Sequence, residues 1–180
     1  MTSKNGRPIV WEAQLGSGHD DGSVDRVTDA VRTKAAEDAE GGVERPSSVV
    51  TLIRSPELSD RAQYAYAATA PADARMVFLA GACPLNADGS TAGVGDYAMQ
   101  AAKAMENLVV ALAAAGAGIT DVISTRVLVA SSQRSDLVAS WDVVRAAFGE
   151  HDVPSTLLGV TVLGYDDQLV EIEAVAAIRP

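Results

Sequence analysis

Two carboxylates, Glu171 and Glu173, stand at alternate positions near the C-terminus, in the stretch PSTLLGVTVLGYDDQLVEIEA from Pro154 to Ala174. The stretch reads as an apolar strand, a polar turn around Gly164 to Gln168 and a second strand. Strand side chains alternate between faces, so both glutamates project to one side and Val170 and Ile172 to the other. A charge inside so apolar a strand is costly unless its face is wet or the carboxylate has a hydrogen-bonding partner. A carboxylate lining a cleft can orient a water for attack on an electrophilic carbon, the work of a general base. The same pattern also describes the solvated face of an antiparallel strand, where the glutamates would do no chemistry.

Other reactive residues are few. Cys83, the single cysteine, lies in LAGACPL among apolar neighbours, which favours a buried thiol in a reducing compartment over a nucleophile. The histidines are His19 and His151, so a Ser-His-Asp arrangement would have to join His151 to Ser155. No CxxC, HExxH or glycine-rich phosphate loop occurs, and the loop with Gly93 and Gly95 lacks the lysine that phosphate cradling needs. No cofactor or metal is therefore expected.

The elements that must position Glu171 can be read from periodicity. Val49 to Arg54, Tyr64 to Thr69 and Met76 to Gly81 alternate as strands, and PLNADGS, with Asp88 and Gly89, is turn chemistry. Asp96 to Ala115 is the clearest helix, with Met105, Leu108, Val109 and Leu112 on one face and Gly116 placed to end it. Asp121 to Ala130 is a strand rich in β-branched residues, with Thr125, Val127 and Val129 on one side and Ser124, Arg126 and Leu128 on the other. Leu137 to Phe148 is a second helix, capped by Ser135 or Asp136. The order β-β-β-α-β-α-β-β predicts an α/β fold: a single mixed sheet with two helices on one face. The other face has nothing left in the chain to cover it, and a homo-oligomer is the simplest cover.

Composition bounds the rest. The chain has 180 residues, 48% hydrophobic but only 4% aromatic, which allows one domain with a core of Val, Leu, Ile and Ala. Residues 1–46 are rich in Gly, Asp and Glu and read as an acidic, mostly disordered tail, with a loose helix over Val24 to Ala39 and an isolated Trp11. Residues 47–180 form the domain. A net charge of −10 without a basic patch argues against nucleic acid as a partner. The absence of a long apolar run or a signal-type leader predicts a soluble, cytoplasmic protein with no membrane partner.

Taken in order, FLAGACPLNADG, AMENLVVALAAAGAG, TDVISTRVLV and LVEIEAVA resemble the RidA/YjgF family of reactive-intermediate deaminases, over about Val49 to Ile178. The resemblance implies a chorismate-mutase-like fold assembled as a homotrimer, with small-metabolite clefts between subunits. It implies a hydrolytic activity that detoxifies reactive metabolites: an arginine holds the carboxylate of a 2-imino or enamino acid, and a glutamate orients the water that releases ammonia and a 2-keto acid. Carried over by position, the glutamate is matched by Glu171, the tyrosine ahead of the second strand by Tyr64, and the glycine after the active-site serine by Gly81. The serine itself is replaced by Ala80, an asparagine on the second helix by Trp141, and the arginine by Ser155 or by Thr156, depending on how the turn is aligned.

The missing arginine carries weight. A hydrogen bond to a charged group contributes about 1.5–3 kcal/mol net, so one such contact is worth roughly ten- to a hundredfold in binding. A hydroxyl cannot replace that charge, and the usual 2-imino acid activity is not expected. Arg126 is a substitute cation, or else one half of an inter-subunit salt bridge. Two readings stand: a deaminase-type hydrolase acting on C=N bonds of a less acidic substrate, or a non-catalytic member that binds a small metabolite or a protein. Ribonuclease activity is disfavoured by charge.

Overall fold

The structure, a computed structural model, describes residues 47–59, 61–62 and 64–180. The expected tail, its helix and Trp11 lie outside the described residues. Strands β1 (Thr51–Ile53) and β2 (Ala67–Thr69) pair antiparallel, with Leu52 opposite Ala68. Among the described residues neither pairs with another strand, so the mixed sheet proper has four strands. These are β3 (Arg75–Phe78), β4 (Val122–Val129), β5 (Ser155–Gly159) and β6 (Val170–Ile178), in the order β3-β6-β4-β5. β4 runs parallel to β5 and antiparallel to β6, and helix α2 (Arg134–Phe148) makes the crossover that a parallel pair needs.

Helix α1 (Tyr97–Ala114) starts where Asp96 accepts a hydrogen bond from the Met99 amide at 2.9 Å. It stops at Gly116, whose φ of +77° suits glycine, while Ala117 N–H returns to Leu112 O at 2.8 Å and Gly116 N–H to Ala113 O at 3.0 Å. The start of α2 differs from expectation. The helix begins at Arg134, with Gln133 at the cap position and no side-chain cap bond. Asp136 lies in the first turn and accepts from the Ser131 hydroxyl at 2.6 Å, so it anchors the preceding loop instead of capping the helix.

Met105, Leu108 and Leu112 of α1 and Val143, Val144 and Phe148 of α2 form one core with Val127, Val129, Val170, Ile172 and Ala174 of the sheet. Alternation along β6 leaves Glu171, Glu173 and Val175 only half-buried, on the opposite face, where Arg126 and Leu128 of β4 join them. Phe78 on β3 is 77% exposed there, far more than a large aromatic in a finished core. Both helices thus cover one face, and the other lacks a cover within the described chain.

Candidate active site

Glu171 projects from β6 beside a segment that continues β3 after a break. Ala82 and Ile172 exchange both backbone bonds, at 2.8 and 3.1 Å, which brings Gly81 and Cys83 alongside the glutamate. The Cys83 sulfur lies 3.6 Å from Glu171 Oε2 and 3.6 Å from Gly81 O, so its single proton can serve either acceptor, and the Gln168 amide donates to Glu171 Oε2 at 3.1 Å. The other oxygen, Oε1, accepts no hydrogen bond among the described residues, and it sits where a side chain on residue 81 would be: a Cβ on Gly81 would fall 1.9 Å from it. Glycine is required here by close approach. One carboxylate oxygen is tethered, and the other rests against Gly81 without a hydrogen bond among the described residues.

Burial, and next the negative charge of Glu171, push the Cys83 thiol up from 9.0 to about 11. It therefore stays protonated at neutral pH, a hydrogen-bond donor and a poor nucleophile. This agrees with the inert thiol expected from the sequence, although Cys83 is half-buried rather than fully enclosed.

Two side chains on α1 hold the segments that flank Glu171, and neither was singled out from sequence. Gln100, fully buried, donates to Asp167 O at 2.8 Å and accepts from Leu169 N–H at 2.7 Å, pinning the turn before β6. Asn107 donates to Cys83 O at 2.8 Å and Leu85 O at 2.9 Å, pinning the segment after Gly81. The signal for Gln100 was its place on the apolar stripe, four residues before Ala104 and eight before Leu108. A polar group on a buried helix face must have partners.

The other expected site residues divide into groups. Ala80 and Gly81 line a groove of about 440 Å³ with Cys83, Phe78, Asn107 and Tyr165. Glu171 is not among its lining residues. Tyr64 and Trp141 meet each other edge to face, with ring centroids 5.9 Å apart, and Trp141 also packs on the core. No hydrogen bond or ring contact among the described residues joins this pair to Glu171. The Ser155 hydroxyl is occupied by Val153 O at 2.8 Å and Thr125 Oγ1 at 2.7 Å. Thr156 is exposed on β5, opposite Arg126 in register. Arg126 pairs with Glu173 of its own chain at 2.5 Å: adjacent antiparallel positions place the two charges side by side on one face. His151 is likewise occupied, by Val122 O at 2.7 Å, and takes no part in a Ser155 arrangement.

A four-stranded mixed sheet backed by two helices, with a carboxylate half-buried on its open face, defines a class of small α/β proteins. The sequence profile of the endoribonuclease L-PSP family matches residues 57–178, and the chain belongs to this family, the YjgF/Rid group. Among solved structures it is similar to the Rid-family protein of unknown function YyfB from Yersinia pestis, at 25% identity and a TM-score of 0.66, over 72% of this chain and 99% of that one. It is also similar to Rv2704 of Mycobacterium tuberculosis, a member of the YjgF/YER057c/UK114 family, at 28% identity and a TM-score of 0.50, over the same shares. A putative endoribonuclease from Thermotoga maritima, 23% identical with a TM-score of 0.54 over 75% of this chain and 99% of that one, shares the fold. No curated protein matches the chain. Among the described residues, no helix is long and apolar enough to cross a membrane.

Proposed function

We propose that this Rid-family protein assembles as a homotrimer and hydrolyses a C=N bond of an imine or enamine in a cleft between subunits, with Glu171 orienting the attacking water. The observation that carries this reading is the state of the carboxylate. One oxygen is held by Gln168 and Cys83 and the other is unengaged, as a group that must aim a water requires. Water adds to the imine carbon, its proton passes by way of Glu171 to the nitrogen, and the C–N bond of the carbinolamine breaks to leave a carbonyl and ammonia. The substrate is read as lacking the carboxylate of the 2-imino acids, because Ser155 and Thr156 carry no charge and Arg126 already pairs with Glu173. Assembly is supported by the uncovered face with Phe78, Arg126, Leu128 and Val175.

The alternative, a non-catalytic member that binds a metabolite or a protein, is favoured by one observation: the Ser155 hydroxyl is turned inward to Val153 and Thr125. The test generates imines enzymatically from amino acids and from amines and follows their decay. Acceleration that Glu171→Ala abolishes supports hydrolysis. No acceleration of any imine, or equal acceleration by the variant, removes it and leaves the binding reading.

A further inference from the structure

Gln168 lies in the turn ahead of β6 and is only 5% exposed, with every polar atom of its amide in use. Its Oε1 accepts from Tyr165 N–H at 3.0 Å, and its Nε2 donates to Val170 O at 3.2 Å and to Glu171 Oε2 at 3.1 Å. The turn is itself immobilised from two sides. Gln100 holds Asp167 O and Leu169 N–H, and the Thr91 hydroxyl donates to Asp166 O at 2.7 Å. Asp167 takes a left-handed φ of +59°, a conformation a non-glycine residue keeps when its surroundings impose it. A rigid frame therefore delivers one neutral N–H to one oxygen of the glutamate.

We propose that Gln168 is the positioning residue of this site: its amide fixes the rotamer of Glu171 by holding Oε2, so that Oε1 remains the single oxygen available to a water or ligand. The role rests on the reading of Glu171 as the working carboxylate. Without the amide, Glu171 would be held only by a thiol, a weak donor, and its side chain, with three rotatable bonds, would be free to explore other rotamers. A neutral donor also differs from a guanidinium in what it leaves behind. It orients the carboxylate without cancelling its charge.

The test uses Cys83, the single cysteine of the sequence, as a reporter beside Glu171. Alkylation by iodoacetamide is followed by mass between pH 7.5 and 10 in the full chain, in Gln168→Met, in Glu171→Gln and in the double variant. If Gln168 holds Oε2, its loss leaves the carboxylate to draw more strongly on the thiol, and Gln168→Met slows alkylation by roughly two- to tenfold, the value of one hydrogen bond. In the Glu171→Gln background the slowing should shrink to the part that comes from the direct contact of the Gln168 amide with the thiol. If Gln168 serves only to fold the turn, its loss exposes Cys83 and alkylation quickens whatever stands at residue 171. Quickening, or a slowing that is undiminished in the double variant, overturns the proposal.

Should Gln168→Met fail to fold, Gln168→Glu keeps an acceptor for Tyr165 N–H, replaces the donor by an oxygen facing Val170 O and sets a second carboxylate against Glu171. Expected is a fall in Tm of a few degrees, recovered in the exchanged pair Gln168→Glu with Glu171→Gln, where donor and acceptor are reversed. No recovery refutes the contact. In the imine assay, Gln168→Met should lower kcat about tenfold with KM unchanged, and a change in KM alone refutes the positioning role. If the wild-type protein accelerates no imine, hydrolysis fails while the Cys83 experiment still decides whether Gln168 holds Glu171.

Discussion

Gly81→Ala should dislodge Glu171 with little disturbance elsewhere. The added Cβ would lie 1.9 Å from Oε1, 2.6 Å from Cδ and 2.9 Å from Cγ of the glutamate, whereas ordinary contact begins near 3.4 Å. The carboxylate must therefore move by about 1.5 Å, further than a hydrogen bond tolerates, and the bond from Gln168 at 3.1 Å and that from Cys83 at 3.6 Å are both lost. The three atoms nearest the added Cβ all belong to Glu171 and the glycine has no left-handed φ, so the damage falls first on this side chain. Loss of a hydrogen bond to a charged group corresponds to about 1.5–3 kcal/mol, or roughly 3–10 °C in Tm for a chain of this size. The assay is thermal unfolding of Gly81→Ala, Glu171→Ala and the double variant, with Cys83 alkylation read in parallel. Because the clash exists only while the glutamate is present, the glycine substitution should cost almost nothing once Glu171 is alanine. Equal destabilisation by Gly81→Ala in both backgrounds would refute the reasoning.

Four further predictions rest on Cys83, Phe78 and Asp96. With its thiol raised to about 11, Cys83 should be about one part in a thousand thiolate at pH 8, against roughly a tenth for an ordinary thiol at 9.0, and Glu171→Gln should speed alkylation by removing the second of the causes that raise it. The folded thiol titrates later than the unfolded one, so the associated stability is intact below pH 9 and is lost as pH rises towards 11; denaturant midpoints across that window check the sign. Phe78→Asp, on the uncovered face and 77% exposed, should convert an assembled form to monomer while preserving helical circular dichroism; sedimentation that shows a wild-type monomer sinks the trimer. Asp96→Ala should cost about 1 kcal/mol through loss of the bond to Met99 N–H, measured by denaturant unfolding.

The helices and strands were legible because their signals are local. Met105, Leu108 and Leu112 share a helix face by spacing alone, Gly116 ends the helix for want of a Cβ, and Thr125, Val127 and Val129 alternate with Arg126 and Leu128 as any strand must. The start of α2 was misplaced because Ser135 and Asp136 are good caps by type, yet the loop claimed Asp136 through Ser131. The pairing of Arg126 with Glu173 was not legible because strand register, which sets it, is settled by partners 47 residues apart and not by the arginine's own neighbours. Gln100, Asn107 and Gln168 went unnoticed because a lone amide has no spacing motif; its role appears only when the backbone groups it holds are brought to it.

By itself, the amino-acid order determined the family, the succession of elements, the facing of Glu171 and the absence of a cation at residues 155 and 156, since each depends on residue type and short-range periodicity. Tertiary structure alone decided that Gly81 yields its side-chain space to Glu171, that Gln168 holds Oε2 beside the Cys83 thiol while Oε1 accepts no hydrogen bond among the described residues, and that Tyr64 meets Trp141 instead of the glutamate. The physical reason is that a carboxylate's function depends on which donors reach each of its oxygens. Those donors come from segments as much as 88 residues apart, brought together by sheet pairing and by the amides of α1.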